Sequence, residues 1–227
     1  MTRRDFVRLA AIAPAAASLP ALARQHLRPA DIAGTVRIAC VGDSITWGAG
    51  VENREQNNYP AVLQQLLGLG YEVRNLGVSG ATLLKRGDLP YWNQREFQDS
   101  SALRPHAVVI KLGTNDSKPQ NWKYRGDFGR DAFALVRHYL RLPTQPLIYL
   151  CTPVPVVRGD WGINGQVVEQ EIAPQLRRVA DDLDVALVDL LVKLSGVPEH
   201  FPDGVHPNAA GAALIADAVA NALGGQY

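Results

Sequence analysis

The fold class predicted by this 227-residue sequence is α/β, with one parallel sheet covered by helices on both faces. Three observations carry the prediction. Short apolar runs rich in Val and Ile recur along the chain and read as buried strands. Segments with helical spacing separate them, and most of the runs stop abruptly at clusters of Gly, Asp, Asn or Pro. The chain is 47% hydrophobic and 20% charged, ordinary for a globular protein and enough for one well-packed domain. Its formal charge of +1 gives no argument for a nucleic-acid partner or an anionic membrane surface.

The first 23 residues read as a targeting segment. Thr2-Arg3-Arg4-Asp5-Phe6-Val7 is a twin-arginine pattern, an alanine-rich apolar stretch follows, and Ala21-Leu22-Ala23 offers a small-x-small cleavage site. Pro14 and Pro20 interrupt that stretch, which is too short and too weakly apolar to be a stable membrane anchor. The expectation is export through the twin-arginine (Tat) machinery to the periplasm or beyond, leaving a single domain over residues 24–227.

In that domain, strand one covers 36–41 and ends at Gly42-Asp43-Ser44. Asn58-Tyr59-Pro60 opens a helix whose apolar residues Val62, Leu63, Leu66 and Leu67 share a face, and Gly68 and Gly70 close it. Strand two, 71–76, leads into Gly77-Val78-Ser79-Gly80, and a polar, helical region follows over 81–101. Strand three, 107–112, runs into Gly113-Thr114-Asn115-Asp116. A long loop, 117–126, precedes a helix at 128–140. Strand four, 146–150, is closed by Pro153 and Pro155. A helix at 166–182 must be kinked or divided by Pro174. Strand five, 185–188, precedes a loop with Asp203-Gly204-Val205-His206-Pro207 and a final helix, 208–223.

Five strands joined by right-handed crossovers fit a flavodoxin-like three-layer α/β/α sandwich with a parallel sheet of order 2-1-3-4-5. Winding reverses between strands one and three, and ligands of open α/β sheets bind at the carboxyl edge of that reversal. The turns holding Ser44 and Asn115 should meet there. Cys40 and Cys151 fall on strands one and four with another strand between them, too far apart for a disulfide. Both are expected to be free thiols serving as small core hydrophobes.

A serine nucleophile needs a base within hydrogen-bond reach, itself oriented by a third group. Asp43 and Ser44 could simply cap the next turn; the strand-end position also suits Ser44 to nucleophilic attack. Of five histidines, His26 lies beside the cleavage site, His138 on a helix and His106 at the opposite sheet edge, which leaves His200 and His206. His206 has Asp203 three residues before it in a turn bounded by Gly204 and Pro207, able to return a carboxylate to the imidazole. The amides of Ser44 and Gly80 and the side-chain amide of Asn115 are candidate donors to a developing oxyanion. Ser79 is a rival nucleophile, but GVSGA departs from the G-x-S-x-G elbow at Ala81 and follows an edge strand.

GDS at 42–44, the glycine of NLGVSG at 80, GTND at 113–116 and DGVHP at 203–207 resemble, in order, the four blocks of the SGNH hydrolases, the GDSL-type esterases. The resemblance extends over nearly all of residues 24–227. It implies a serine esterase with Ser44 as nucleophile, an oxyanion hole of Ser44, Gly80 and Asn115, and a catalytic Asp203–His206 pair. The first block reads GDSI where the family name has Leu, a core position without chemical consequence.

Such an esterase calls for no metal and no organic cofactor. Trp47, Trp92, Trp122 and Trp161 follow strands one to four, and Trp47, Trp122 and Trp161 are candidate substrate-facing rings. Export, these tryptophans and the GTNDSKPQNW run, similar to exported members acting on acetylated glycans, point to short-chain, acetyl esters of small or oligomeric carbohydrates. Lysophospholipase, thioesterase and aryl esterase activities of the same superfamily are alternatives, as is a non-catalytic glycan-binding module on the same fold. A long apolar lid, as a long-chain lipase would carry, is missing from the sequence. Acidic Asp43 disfavours a flavin or phosphate ligand at the first turn, and the turns supply too few His and Asp ligands for a metallophosphatase.

Overall fold

Strands β1 (Val36–Gly42), β2 (Tyr71–Gly77), β3 (Ala107–Lys111), β4 (Leu147–Cys151) and β5 (Ala186–Val188) form a parallel sheet of order β2-β1-β3-β4-β5. This is the expected order, with strand ends within one residue of the expected ones. The structure, a computed structural model, describes residues 26–225, so the expected export signal lies outside the described residues.

Side-chain alternation along the strands creates two cores. Val36, Ile38 and Cys40 of β1 face helices α1 (Tyr59–Leu67) and α5 (Ala209–Leu223), through Tyr59, Leu63, Ile215 and Val219. Ala39 and Val41 face the other layer, α2 (Arg95–Ala102), α3 (Phe128–Leu140) and α4 (Ala173–Asp182), through Phe97, Leu135, Val136, Leu176 and Val179. Burial on both faces explains why the central strands β3 and β4 are apolar at almost every position, whereas the edge strand β2 carries Glu72, Arg74 and Asn75. Truncating a fully buried member such as Leu63 or Leu135 to Ala should cost about 2–5 kcal/mol. Asn58 and Asn208 cap α1 and α5 by accepting from the amides of Ala61 and Gly211, each at 3.0 Å, a contribution of about 1 kcal/mol apiece.

Pro174 divides its helix as expected. Residues Val168–Ile172 wind as a π-helix, the Ala173 amide reaches back to the Val168 carbonyl, and Pro174 then sits in the first turn of α4, where its missing N–H is not needed.

The helical region expected over 81–101 is a correction: only α2 is a full helix there. Side chains elsewhere capture the backbone amides that a helix would require. Asp116 accepts from Leu83 at 3.0 Å and Leu84 at 2.7 Å, Asp131 from Lys85 at 3.0 Å, and Asn121 from Asp88 at 2.8 Å. The segment folds back on itself instead, with the Thr82 amide donating to Leu89 and the Tyr91 amide to Thr82. The expected loop at 117–126 is more ordered than its sequence suggests, containing a short helix, Pro119–Trp122.

Cys40 and Cys151 are free and buried on β1 and β4, with β3 between them. Burial pushes the Cys40 thiol up to about 12 and raises that of Cys151 as well. Neither thiol should react with Ellman's reagent in the native protein, and two should react after denaturation. Fast native labelling would contradict this core.

Burial also pushes Asp116 up to about 7, against the hydrogen bonds from Leu83 and Leu84 that pull it down. The folded chain therefore holds a proton that the unfolded chain releases near 3.8. Stability from this group is full below the unfolded value and declines as pH rises toward the folded one. From about pH 4 to about pH 7, the wild type should lose about 1 kcal/mol or more relative to Asp116→Asn in denaturant titrations. A difference that does not change with pH would contradict the assignment.

Candidate active site

The chain leaves β1 at Gly42 in a turn too tight for a side chain: a Cβ there would lie 2.0 Å from Thr46 Oγ1 and 2.7 Å from the Lys111 carbonyl. Asp43 then caps the single helical turn Ser44–Trp47, its Oδ1 accepting from the Ile45 amide at 3.0 Å. Ser44 is thereby held at the carboxyl edge of the sheet. Its Oγ lies 2.9 Å from His206 Nε2.

His206 is oriented by its own turn. Asp203 Oδ1 accepts from the amides of Val205 at 2.9 Å and His206 at 2.7 Å, and Oδ2 lies 2.7 Å from His206 Nδ1. An ionised carboxylate only accepts, so Nδ1 carries the proton and the Nε2 lone pair is left for the Ser44 hydroxyl. Partial burial works against the Asp203 charge, but the bonds from the His206 amide, the imidazole and the Val205 amide outweigh it and hold the carboxyl below its usual range. Gly204, at φ +84°, could not carry a side chain, since its Cβ would meet Arg158 Cβ at 2.7 Å. Its carbonyl accepts from Val157 and Arg158 at 2.8 and 3.3 Å, which ties the segment after β4 to the His206 turn.

β2 and β3 flank β1, so the turns that follow them flank Ser44. Gly80 has φ +86°, and the amides of Ser44 and Gly80 find no acceptor among the described residues. Asn115, 5% exposed, donates one side-chain hydrogen to the Ala81 carbonyl at 3.1 Å, which links the Asn115 turn to the Gly80 turn and leaves a second N–H for a ligand. The structure thus joins Ser44 to Asp203 through His206 and links the Gly80 and Asn115 turns through Ala81.

The other expectations divide. Trp161 is 67% exposed, adopts a left-handed φ of +61° and sets its ring edge-on to His206, centroids 6.0 Å apart. Trp47 is exposed three residues after Ser44, with the Arg54 guanidinium 4.0 Å from its ring centre. Trp122 is a correction: only 6% exposed, it packs on Phe128 and donates to Glu171 Oε2 at 3.1 Å, so no substrate can stack on it. Ser79 is exposed, and the imidazole of His206 meets Ser44 instead. His106 and His138 are engaged elsewhere, by the Arg37 amide and Ser101. Among the described residues no group of three His, Cys, Asp or Glu side chains is placed to hold a metal ion.

Three buried ionisable residues escaped the reading of the sequence. Asp116 shapes the 83–84 segment and Asp131 holds the Lys85 amide. The third is Lys111 at the end of β3, whose ammonium donates to Asp43 Oδ1 at 3.0 Å, Asp43 Oδ2 at 3.1 Å and Thr114 Oγ1 at 2.9 Å. Burial pulls Lys111 below its ordinary range, opposed by the Asp43 carboxylate. The one signal for it is a lysine inside AVVIKL, facing no solvent on either side of a central strand.

The chain is similar to known proteins over most of its length. The sequence model of the GDSL-like lipase/acylhydrolase family matches residues 40–214. An acetylxylan esterase from Xylanibacter ruminicola is 39% identical over 213 residues, covering 86% of this chain and 44% of that protein. A multidomain esterase from Ruminococcus flavefaciens is 24% identical over 244 residues, covering 92% and 31%. This chain therefore spans less than half the length of these curated relatives. Among solved structures, Est24, a carbohydrate acetylesterase from Sinorhizobium meliloti, shares the fold with a TM-score of 0.70 at 19% identity, covering 85% of this chain and 100% of that one. The native aryl esterase of M. smegmatis does so with a TM-score of 0.67 at 23% identity, again covering 85% and 100%. The family match runs from within β1 into α5 and contains every residue gathered around Ser44: the chain belongs to the GDSL-like lipase/acylhydrolase family.

Proposed function

We propose that this chain is an exported serine esterase that removes short acyl groups, acetyl above all, from carbohydrates. The observation that carries the proposal is the unbroken relay from Ser44 Oγ through His206 to Asp203, at 2.9 and 2.7 Å. Neutral His206 takes the Ser44 proton at Nε2 as Oγ attacks the ester carbonyl. Asp203 stabilises the imidazolium that results. Negative charge gathers on the former carbonyl oxygen, within reach of the Ser44 and Gly80 amides and Asn115 Nδ2. His206 gives the proton to the departing sugar oxygen, which leaves as a hydroxyl as its bond to the carbonyl carbon breaks, and an acyl-Ser44 remains. Water, deprotonated by the same imidazole, then releases the acid.

The carbohydrate part of the reading is supported by the similarity to an acetylxylan esterase and by the exposed ring of Trp161 beside His206. An aromatic face next to the base suits the apolar face of a sugar. Export to the periplasm or medium, by the Tat machinery, rests on the twin-arginine segment ahead of the domain.

Ser44→Ala and Asp203→Asn should both fold like the wild type and lose ester turnover by on the order of 10⁴. Progress curves with 4-nitrophenyl acetate check this, and near-wild-type turnover in Ser44→Ala would overturn the nucleophile. With 4-nitrophenyl acetate, butyrate and octanoate, kcat/KM should fall as the acyl chain lengthens, and acetylated xylo-oligosaccharides should release acetate. A preference for octanoate would remove the acetylesterase reading.

A further inference from the structure

We infer that Lys111 is a positioning residue whose buried ammonium sets the spacing between the Ser44 turn and the Asn115 turn. The inference rests on the esterase reading above and names a part of that site that neither its four sequence blocks nor its relay includes. Lys111 is fully buried at the end of β3, directly opposite Gly42 in the β1–β3 register. Its three donors are all spent, on both oxygens of Asp43 and on Thr114 Oγ1. Asp43 immediately precedes Ser44, and Thr114 immediately precedes Asn115. One side chain therefore braces the residue before the nucleophile against the residue before the oxyanion donor.

A purely stabilising role explains this arrangement poorly. A buried ion pair is often no more stable than apolar residues of the same volume, and β3 is otherwise apolar. Neutralising Asp43 would also not need Thr114. The hydroxyl carries no charge, yet it receives the third hydrogen at 2.9 Å, and that bond is the one that connects the two turns. Asp43 Oδ1 is shared between the ammonium and the Ile45 amide, so movement of the ammonium transfers to the Ser44 turn. Catalysis by transition-state stabilisation depends on such spacing, because the oxyanion donors must meet the oxygen as Oγ attacks.

The discriminating variant is Thr114→Val, which keeps the ion pair and removes only the strut. Measured on 4-nitrophenyl acetate beside the wild type, it should fold, keep KM within about twofold and lose about tenfold or more in kcat. Affinity for an alkyl boronic acid, which mimics the tetrahedral intermediate on Ser44, should fall by a similar factor. Lys111→Met combined with Asp43→Asn removes both charges without leaving one unpaired, and should regain thermal stability over Lys111→Met alone while kcat stays low. Wild-type kcat in either folded variant would overturn the inference and leave the esterase reading intact. A wild-type protein without ester turnover would overturn both.

Discussion

The hydrogen bond between Ser44 and His206 joins residues 162 positions apart, and it depends on how a parallel sheet directs its helices. β1 lies inside the sheet and delivers Ser44 at its carboxyl edge. The His206 turn follows β5, at the far edge of the same sheet. It returns because α5, the next helix, packs against α1 and not beside β5 alone. A helix in such a fold runs against its strands, so the start of α5 lies at the edge where Ser44 emerges. The alanine-rich face of α5, with Ala212, Ala216 and Ala222 buried, lets it seat closely, and Asn208 fixes where it begins. Packing on one face of the sheet thus decides whether the base reaches the nucleophile.

Around that bond the loops are shaped by side chains that take the place of regular backbone pairing. Asp43 and Asp203 each hold a turn by accepting from amides two or three residues onward. Asp116 does the same at long range, across 32 and 33 residues, and Asn115 beside it reaches the Ala81 carbonyl. Carboxyl groups satisfied in this way make loops rigid without a core of their own. Rigidity is what an oxyanion site requires, since donors that must reorganise lose their advantage over water.

The strands, the helices on both faces and the Asp203–His206 turn were legible in local pattern: apolar runs, helical spacing, and turn residues at strand ends. Strand order followed from crossover handedness, and the pairing of Ser44 with His206 from the elimination of the other histidines and the order of the four blocks. The fate of 81–101 was not legible. Its amides are claimed by Asp116, Asp131 and Asn121, all distant in sequence, and no local periodicity records that competition. Trp122 read as a loop aromatic because part of what covers it, Glu171, lies 49 residues away in sequence, where no local pattern records the contact. Lys111 was hidden for the opposite reason. A lysine ending a strand normally reaches solvent, and only the β1–β3 register shows that Asp43 waits for it inside. Trp161 was found as a candidate, but its edge-on contact with His206 joins loops 45 residues apart, and the tie between Gly204 and residues 157–158 that runs beside it is equally non-local.

The most direct test is a crystal structure of the protein inactivated by an alkyl phosphonate ester. Phosphorus should be bonded to Ser44 Oγ, with one phosphonyl oxygen about 3 Å from the Ser44 and Gly80 amides and Asn115 Nδ2. An adduct on Ser79, or a phosphonyl oxygen turned away from Asn115, would contradict the site.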